Sequence, residues 1–85
     1  MSHSVDRLVY MANQIARELG NQHPHGSVEA TCEHLQRYWD PRMRKLIIEH
    51  FRSGGEGLSD TARGAVAMLA TTHTTGPNLV NEVQG

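Results

Sequence analysis

The sequence predicts an all-α fold, a small bundle of four short helices with a flexible C-terminal tail. Apolar residues recur every three or four positions in four successive segments, which is the period of an amphipathic helix. Glycine, proline and asparagine separate these segments, as expected for turns. The sequence has no strand-like alternation of apolar and polar residues. We divide the 85 residues into a helical domain over 1–70 and a polar, mobile tail over 71–85.

The first helix is predicted from an apolar stripe on one face. Ser4 is placed to cap its N-terminus, and Asp6 lies near the positive end of the helix dipole. Gly20 is expected to end the helix, because glycine is common just beyond a helix C-terminus. The stripe consists of Val5, Leu8, Ala12, Ile15 and Leu19.

A sharp corner is predicted between the second and third helices. Ser27 is expected to cap the second helix, which must end near Trp39 because Pro41 disfavours helical geometry at the residue before it. Asp40 is expected to cap the third helix, with Pro41 at the first helical position. The expected core positions of the two helices are Val28, Cys32, Leu35, Trp39, Met43, Leu46 and Ile47.

A glycine-rich segment over residues 54–57 is expected to end the third helix. Three glycines in four residues favour a backbone that adopts positive φ. Ser59 is then expected to open a last helix that runs from Asp60 to about Ala70, with Leu58 packed just before it. The expected core positions of this helix are Ala62, Val66 and Leu69.

Charge and length exclude several classes of protein. Eight basic residues against nine acidic ones give a net charge of −1, which is far from the basic balance of a histone-like nucleic-acid binder. The longest apolar run, Ala65 to Ala70, is too short to span a membrane, and the N-terminus lacks a signal-peptide pattern. The single cysteine, Cys32, cannot form an intramolecular disulfide, so we expect a cytoplasmic location.

Catalytic and metal-ligating residue types occur, but their spacing does not support a site. Zinc requires four converging ligands, whereas Cys32 and His34 lie on different sides of a helix and no second pair has suitable spacing. No nucleophile has a recognisable partner base, and Glu56 in the glycine-rich segment would repel a phosphate. The sequence therefore predicts no metal site, no catalytic residue and no enzymatic activity.

The residues around the corner are instead typical of a protein interface. Trp39, Arg42 and Met43 combine large contact area, bidentate hydrogen bonding and adaptable packing, although Trp39 could equally anchor the core. More apolar side chains are expected outside the core than so small a domain covers unaided. These are Tyr10, Met11, Tyr38, Ile48 and Met68.

Two alternatives to a larger protein partner stay open at this point. One is a homo-oligomer, in which a second copy of the chain covers the apolar surface. The other is nucleic-acid binding by the basic cluster between Arg37 and Arg52, which carries three more basic than acidic residues. A solvated helix face explains the same cluster without any ligand.

Three sequence blocks resemble a known family, the delta subunit of NAD-dependent, molybdenum-containing formate dehydrogenase. Residues 7–15 read Arg-Leu-Val-Tyr-Met-Ala-Asn-Gln-Ile, residues 38–44 read Tyr-Trp-Asp-Pro-Arg-Met-Arg, and residues 54–59 read Gly-Gly-Glu-Gly-Leu-Ser. The likeness extends over about residues 5–70 in the same order and spacing.

The resemblance implies an accessory subunit of a cytoplasmic complex, bound to a large catalytic subunit and to beta and gamma subunits. It implies that bis-molybdopterin guanine dinucleotide, iron–sulfur clusters, FMN and NAD are carried by those subunits and that no cofactor is held by this chain. The implied role is to assist assembly, stability or molybdenum-cofactor insertion. We predict that the partner-binding residues are Met11, Asn13, Gln14, Trp39, Arg42, Met43, Arg44, Gly55 and Gly57.

Overall fold

Four helices and short connections make up the computed structural model, which describes the backbone of residues 3–82 and the side chains of residues 5–72. The helices are α1 (His3–Gln22), α2 (Ser27–Tyr38), α3 (Pro41–Arg52) and α4 (Asp60–Glu82). Within residues 3–82 no strand is present. The prediction of an all-α, four-helix bundle is confirmed.

Helix α4 packs against each of the other three helices. Its inward face is built mainly from small residues, and Ala62 and Ala65 are fully buried, which lets neighbouring backbones approach closely. At the contact with α2, a Cβ placed on Gly64 would lie 3.3 Å from Cγ1 of Val28. The predicted inward positions Ala62, Val66 and Leu69 are all buried.

The core extends from α4 to the apolar faces of the other helices. Trp39 is only 4% exposed. Of the two interpretations of this tryptophan, the structure therefore shows the one in which it anchors the core. The expectation that Ile48 is surface-exposed is wrong, because its side chain is 2% exposed. Two adjacent residues, Ile47 and Ile48, are buried together because α3 contacts both α1 and α4.

The predicted corner between α2 and α3 is confirmed. Trp39 follows the last residue of α2 with extended backbone angles, and its N–H donates to the carbonyl of Leu35. Asp40 caps α3, and its Oδ1 accepts from the N–H of Met43 at 2.9 Å. Pro41 occupies the first helical position, where its missing N–H costs no intrahelical bond.

The predicted end of α1 and start of α2 differ from the structure by one or two residues. Helix α1 continues through Gly20 to Gln22, and Gly20 keeps a negative φ. Gly26 rather than Ser27 precedes α2, without a side-chain capping bond. Ser27 is the first helical residue, and its carbonyl accepts from Oγ1 of the buried Thr31 at 2.7 Å.

The fourth helix is longer than predicted, because it ends at Glu82 instead of near Ala70. The loss of apolar periodicity after Ala70 therefore does not mark the end of the helix. Thr71 and Thr72 donate their hydroxyls to the carbonyls four residues earlier, at 3.2 and 3.1 Å. Most side chains of residues 71–85 lie outside the described ones, so the predicted mobility of this tail stays a prediction.

Candidate functional site

Three of the nine predicted partner-binding residues line one groove between α1 and α3. Met11 on α1 and Met43 and Arg42 on α3 face each other across an open groove of about 360 Å³. Met11 and Met43 are half-buried and pack against the core. The remaining lining residues are Arg7, Leu8, Asp40 and Leu46. The structure thus brings together residues that are about 30 positions apart in sequence.

Asn13 lies on another side of α1, where it binds the loop between α3 and α4. Its Nδ2 donates to the carbonyl of Gly57 at 2.8 Å, and its Oδ1 accepts from the N–H of Ser59 at 2.9 Å. The amide therefore uses both its donor and its acceptor function within the chain. The neighbouring Gln14 is exposed and lines a more polar pocket with Tyr10 and Arg17.

The loop that Asn13 binds is held by side chains from three helices. Both terminal nitrogens of Arg63 on α4 donate to this loop, to the carbonyls of Gly54 and Gly55, each at 2.9 Å. Nε2 of His50 on α3 lies 2.8 Å from the carbonyl of Glu56. Together with the Asn13 bond to Gly57, four consecutive backbone carbonyls of the loop have side-chain partners.

The glycines of this loop meet the predicted requirement for positive φ. Gly54, Gly55 and Gly57 have φ values of 121°, 63° and 90°. Gly55 is buried, and a Cβ built on it would lie 2.8 Å from Nη1 of Arg63. The two predicted partner-binding glycines, Gly55 and Gly57, therefore have a local structural requirement for glycine.

Arg44 and Trp39 lie at the corner between α2 and α3. Nη1 of Arg44 donates to the carbonyl of Trp39 and, at 3.3 Å, to the carbonyl of Gln36. These are among the last carbonyls of α2, which have no intrahelical partner. Arg44 thus stabilises the C-terminus of α2 while Trp39 fills the core beside it.

Arg63 and His50 were not predicted from the sequence as residues that organise this region. The contact between Arg63 and the carbonyls of Gly54 and Gly55 has no recognisable sequence pattern, because it depends on how α4 folds back on the loop. The three glycines were the only sequence signal at this place, and they indicated the backbone conformation without its partners.

Residue types that commonly act in catalysis or metal binding are dispersed elsewhere among the described residues. Cys32 is buried in α2, and its burial raises the pKa of the thiol above the ordinary 9.0. The side chains of the described residues form no cluster of three or more histidine, cysteine, aspartate or glutamate groups that could hold a metal ion. None of the described helices is long and apolar enough to cross a membrane.

A comparison with protein families gives a match that covers the region containing these features. The family model described as the delta subunit of NADH-dependent formate dehydrogenase, FdsD, matches residues 7–66. The matched region is more than two thirds of the chain, and it includes the α1–α3 groove, the corner and the glycine-rich loop. The comparisons with curated proteins and with solved structures found no match.

Proposed function

The chain belongs to the FdsD family of NADH-dependent formate dehydrogenase delta subunits, and on this premise we propose that it is a non-catalytic accessory subunit. In this proposal it binds the large catalytic subunit of a cytoplasmic formate dehydrogenase complex that also contains beta and gamma subunits. Its role is to assist assembly, stability or molybdenum-cofactor insertion in the catalytic subunit. The family match over residues 7–66 is the observation that carries the proposal.

The residues of this chain do not fit the iron–sulfur clusters of such a complex. A [4Fe–4S] cluster is held by four cysteine thiolates, whereas the sequence contains one cysteine, and this residue is buried with a raised pKa. We therefore assign the iron–sulfur clusters to the other subunits, and the proposal places bis-molybdopterin guanine dinucleotide, FMN and NAD there as well. Formate oxidation and electron transfer to NAD are accordingly functions of those subunits in this proposal.

The fold suits a subunit that binds a larger protein through surfaces that are already ordered. Side chains from α1, α3 and α4 hold the glycine-rich loop, and Asp40 and Arg44 hold the corner. Surfaces that are ordered before binding lose less conformational entropy on association. The groove between α1 and α3, which adjoins the corner at Asp40, is open to a partner.

A capture experiment in the native cells tests the proposal. The full chain with an affinity tag should recover the large catalytic subunit together with NAD-dependent formate oxidation, whereas the tag alone should recover neither. Capture only from cells that cannot make the molybdenum cofactor would identify a transient assembly factor. Capture from both kinds of cell, with activity in the replete cells, would identify a lasting subunit. Failure to capture the large subunit in either would overturn the proposal.

Deletion of the gene separates the three roles. Loss of the large subunit from the cell would indicate that the chain stabilises it. Normal amounts of a large subunit that lacks molybdenum would indicate cofactor insertion, and a molybdenum-containing large subunit that does not join the beta and gamma subunits would indicate assembly. A deletion strain with an intact, fully active complex would contradict all three.

A further inference from the structure

The groove between α1 and α3 has an apolar floor that the chain itself leaves partly uncovered. Leu8, Met11, Met43 and Leu46 form this floor. Leu8 belongs to the buried core, whereas the other three side chains are only partly buried although they pack against it. Methionine side chains adapt their shape to different apolar partners, and the floor contributes one from each helix. It therefore suits the insertion of an apolar side chain.

Two cations border this apolar floor. Arg7 on α1 and Arg42 on α3 are both exposed and line the groove. Neither has a hydrogen-bond or ion-pair partner among the described residues. The acidic side chain in the groove, Asp40, is already engaged as the cap of α3. The groove thus combines an apolar floor with two guanidinium groups that are available to carboxylates.

A second copy of the chain is a poor occupant of this groove. In a symmetric dimer the same patch faces itself, so that the arginines of one copy would approach those of the other. Like charges that face each other across an interface oppose association. A partner that supplies carboxylates around an apolar side chain avoids this repulsion and pairs with both arginines.

We propose that the groove between α1 and α3 binds a segment of the large catalytic subunit in which acidic residues flank an apolar side chain. This inference rests on the proposed function, because it takes the identity of the partner from there. The apolar side chain inserts between Met11 and Met43, and the flanking carboxylates pair with Arg7 and Arg42. Bidentate pairing between guanidinium and carboxylate would set the orientation of the segment.

Charge reversal at the border of the groove tests this inference. The variants are Arg42→Glu and Arg7→Glu, and the matched control is Arg17→Glu, which makes the same charge change at an exposed residue of α1 that lines a different pocket. Arg42 lies in the first turn of α3, where an acidic residue interacts favourably with the helix dipole. We therefore expect Arg42→Glu to stay folded, and the melting temperature of each variant verifies this.

The readout is the affinity of the tagged full chain for the large catalytic subunit at two salt concentrations. We expect Arg42→Glu and Arg7→Glu each to weaken binding by about tenfold or more, and Arg17→Glu to bind like the wild type. Added salt should weaken the wild-type complex more than the Arg42→Glu complex, since the variant has lost the part of the screened attraction that Arg42 supplies.

Three results would overturn the inference. If both groove variants bind like the wild type, the groove is not the contact, although the proposed function stands. If Arg17→Glu weakens binding as strongly as the groove variants, the effect is not specific to the groove. If the wild-type chain does not bind the large subunit at all, the inference and the proposed function fail together.

Discussion

Asn13 donates a hydrogen bond at 2.8 Å to the carbonyl of Gly57, which lies 44 positions further along the chain. The same side chain accepts from the N–H of Ser59. An amide that flanks an apolar helix stripe was interpreted from sequence as a group directed at a partner. The structure shows that this amide connects α1 to the loop before α4. Its proposed contact with a partner stays a prediction, and its contribution to the fold is open to direct measurement.

Replacement of Asn13 by alanine is expected to destabilise the isolated chain. The variant removes both bonds to the loop and leaves the Gly57 carbonyl and the Ser59 N–H without this partner. The expected loss is about 1–3 kcal/mol in the free energy of unfolding, and about 4–8 °C in melting temperature for each kcal/mol. Gln14→Ala is the matched control, because Gln14 is adjacent and exposed, and it should change stability by less than about 0.5 kcal/mol. Similar small effects in both variants would contradict the assigned role.

Gly55→Ala and Gly20→Ala are expected to change stability in opposite directions. Gly55 has a φ of 63°, and a Cβ there would lie 2.8 Å from Nη1 of Arg63, so alanine should cost about 1–2 kcal/mol for the backbone alone. Gly20 is helical, and a Cβ on it would have an ordinary contact of 3.9 Å with Ser27. Alanine there should stabilise by about 0.5–1 kcal/mol. Chemical denaturation of both variants measures the difference, and a tolerated Gly55→Ala would show that the loop conformation is not required.

Arg44→Met is expected to destabilise the corner between α2 and α3. The variant keeps much of the apolar stem but leaves the carbonyls of Gln36 and Trp39 without the guanidinium that they share. We expect a loss of about 1–2 kcal/mol, measured by thermal unfolding. Lys45→Met is the control on the next residue, since Lys45 is exposed and has no partner among the described residues. If Arg44→Met is as stable as Lys45→Met, Arg44 does not stabilise the C-terminus of α2, and a contact with a partner is the remaining role predicted for it.

The buried thiol of Cys32 is expected to make stability depend on pH in the alkaline range. Burial raises the pKa of Cys32 in the folded chain above the ordinary 9.0. The unfolded chain therefore loses the thiol proton first as the pH rises, and the folded state becomes less stable relative to the unfolded one. This contribution is fully present well below the ordinary pKa of 9.0 and is lost as the pH rises through the folded pKa.

Cys32→Ala isolates this contribution from other alkaline titrations. The difference in unfolding free energy between wild type and variant should be constant below about pH 8 and should shift against the wild type at higher pH. Parallel pH profiles for the two proteins would show that Cys32 does not contribute. Slow reaction of the native thiol with an alkylating reagent, and rapid reaction after unfolding, is an independent check of its burial.

The elements that the sequence predicted well depend on interactions between residues four or fewer positions apart. Asp40 and Pro41 define the start of α3 because capping and ring geometry act within one helical turn. The positive φ values of the 54–57 segment follow from the lack of a Cβ at each glycine. The end of α4 was predicted wrongly because the apolar periodicity ends near Ala70, whereas the helix continues to Glu82.

The residues of the candidate site depend instead on how the helices pack against each other. Whether Trp39 faces the core or a partner depends on where α2 lies in the bundle, and the same holds for Ile48 on α3. Met11 and Met43 share a groove only because α1 and α3 pack side by side.

The sequence by itself determined the four helices, the corner at Asp40, the glycine-dependent loop and, through its motif blocks, the family. Only the tertiary structure decided that Asn13 and Arg63 bind the loop, that Arg44 binds the end of α2, and that two arginines border an apolar groove. The physical reason is the range of the interactions. Capping and backbone conformation act within one turn of the chain, whereas these contacts exist only after the helices have packed.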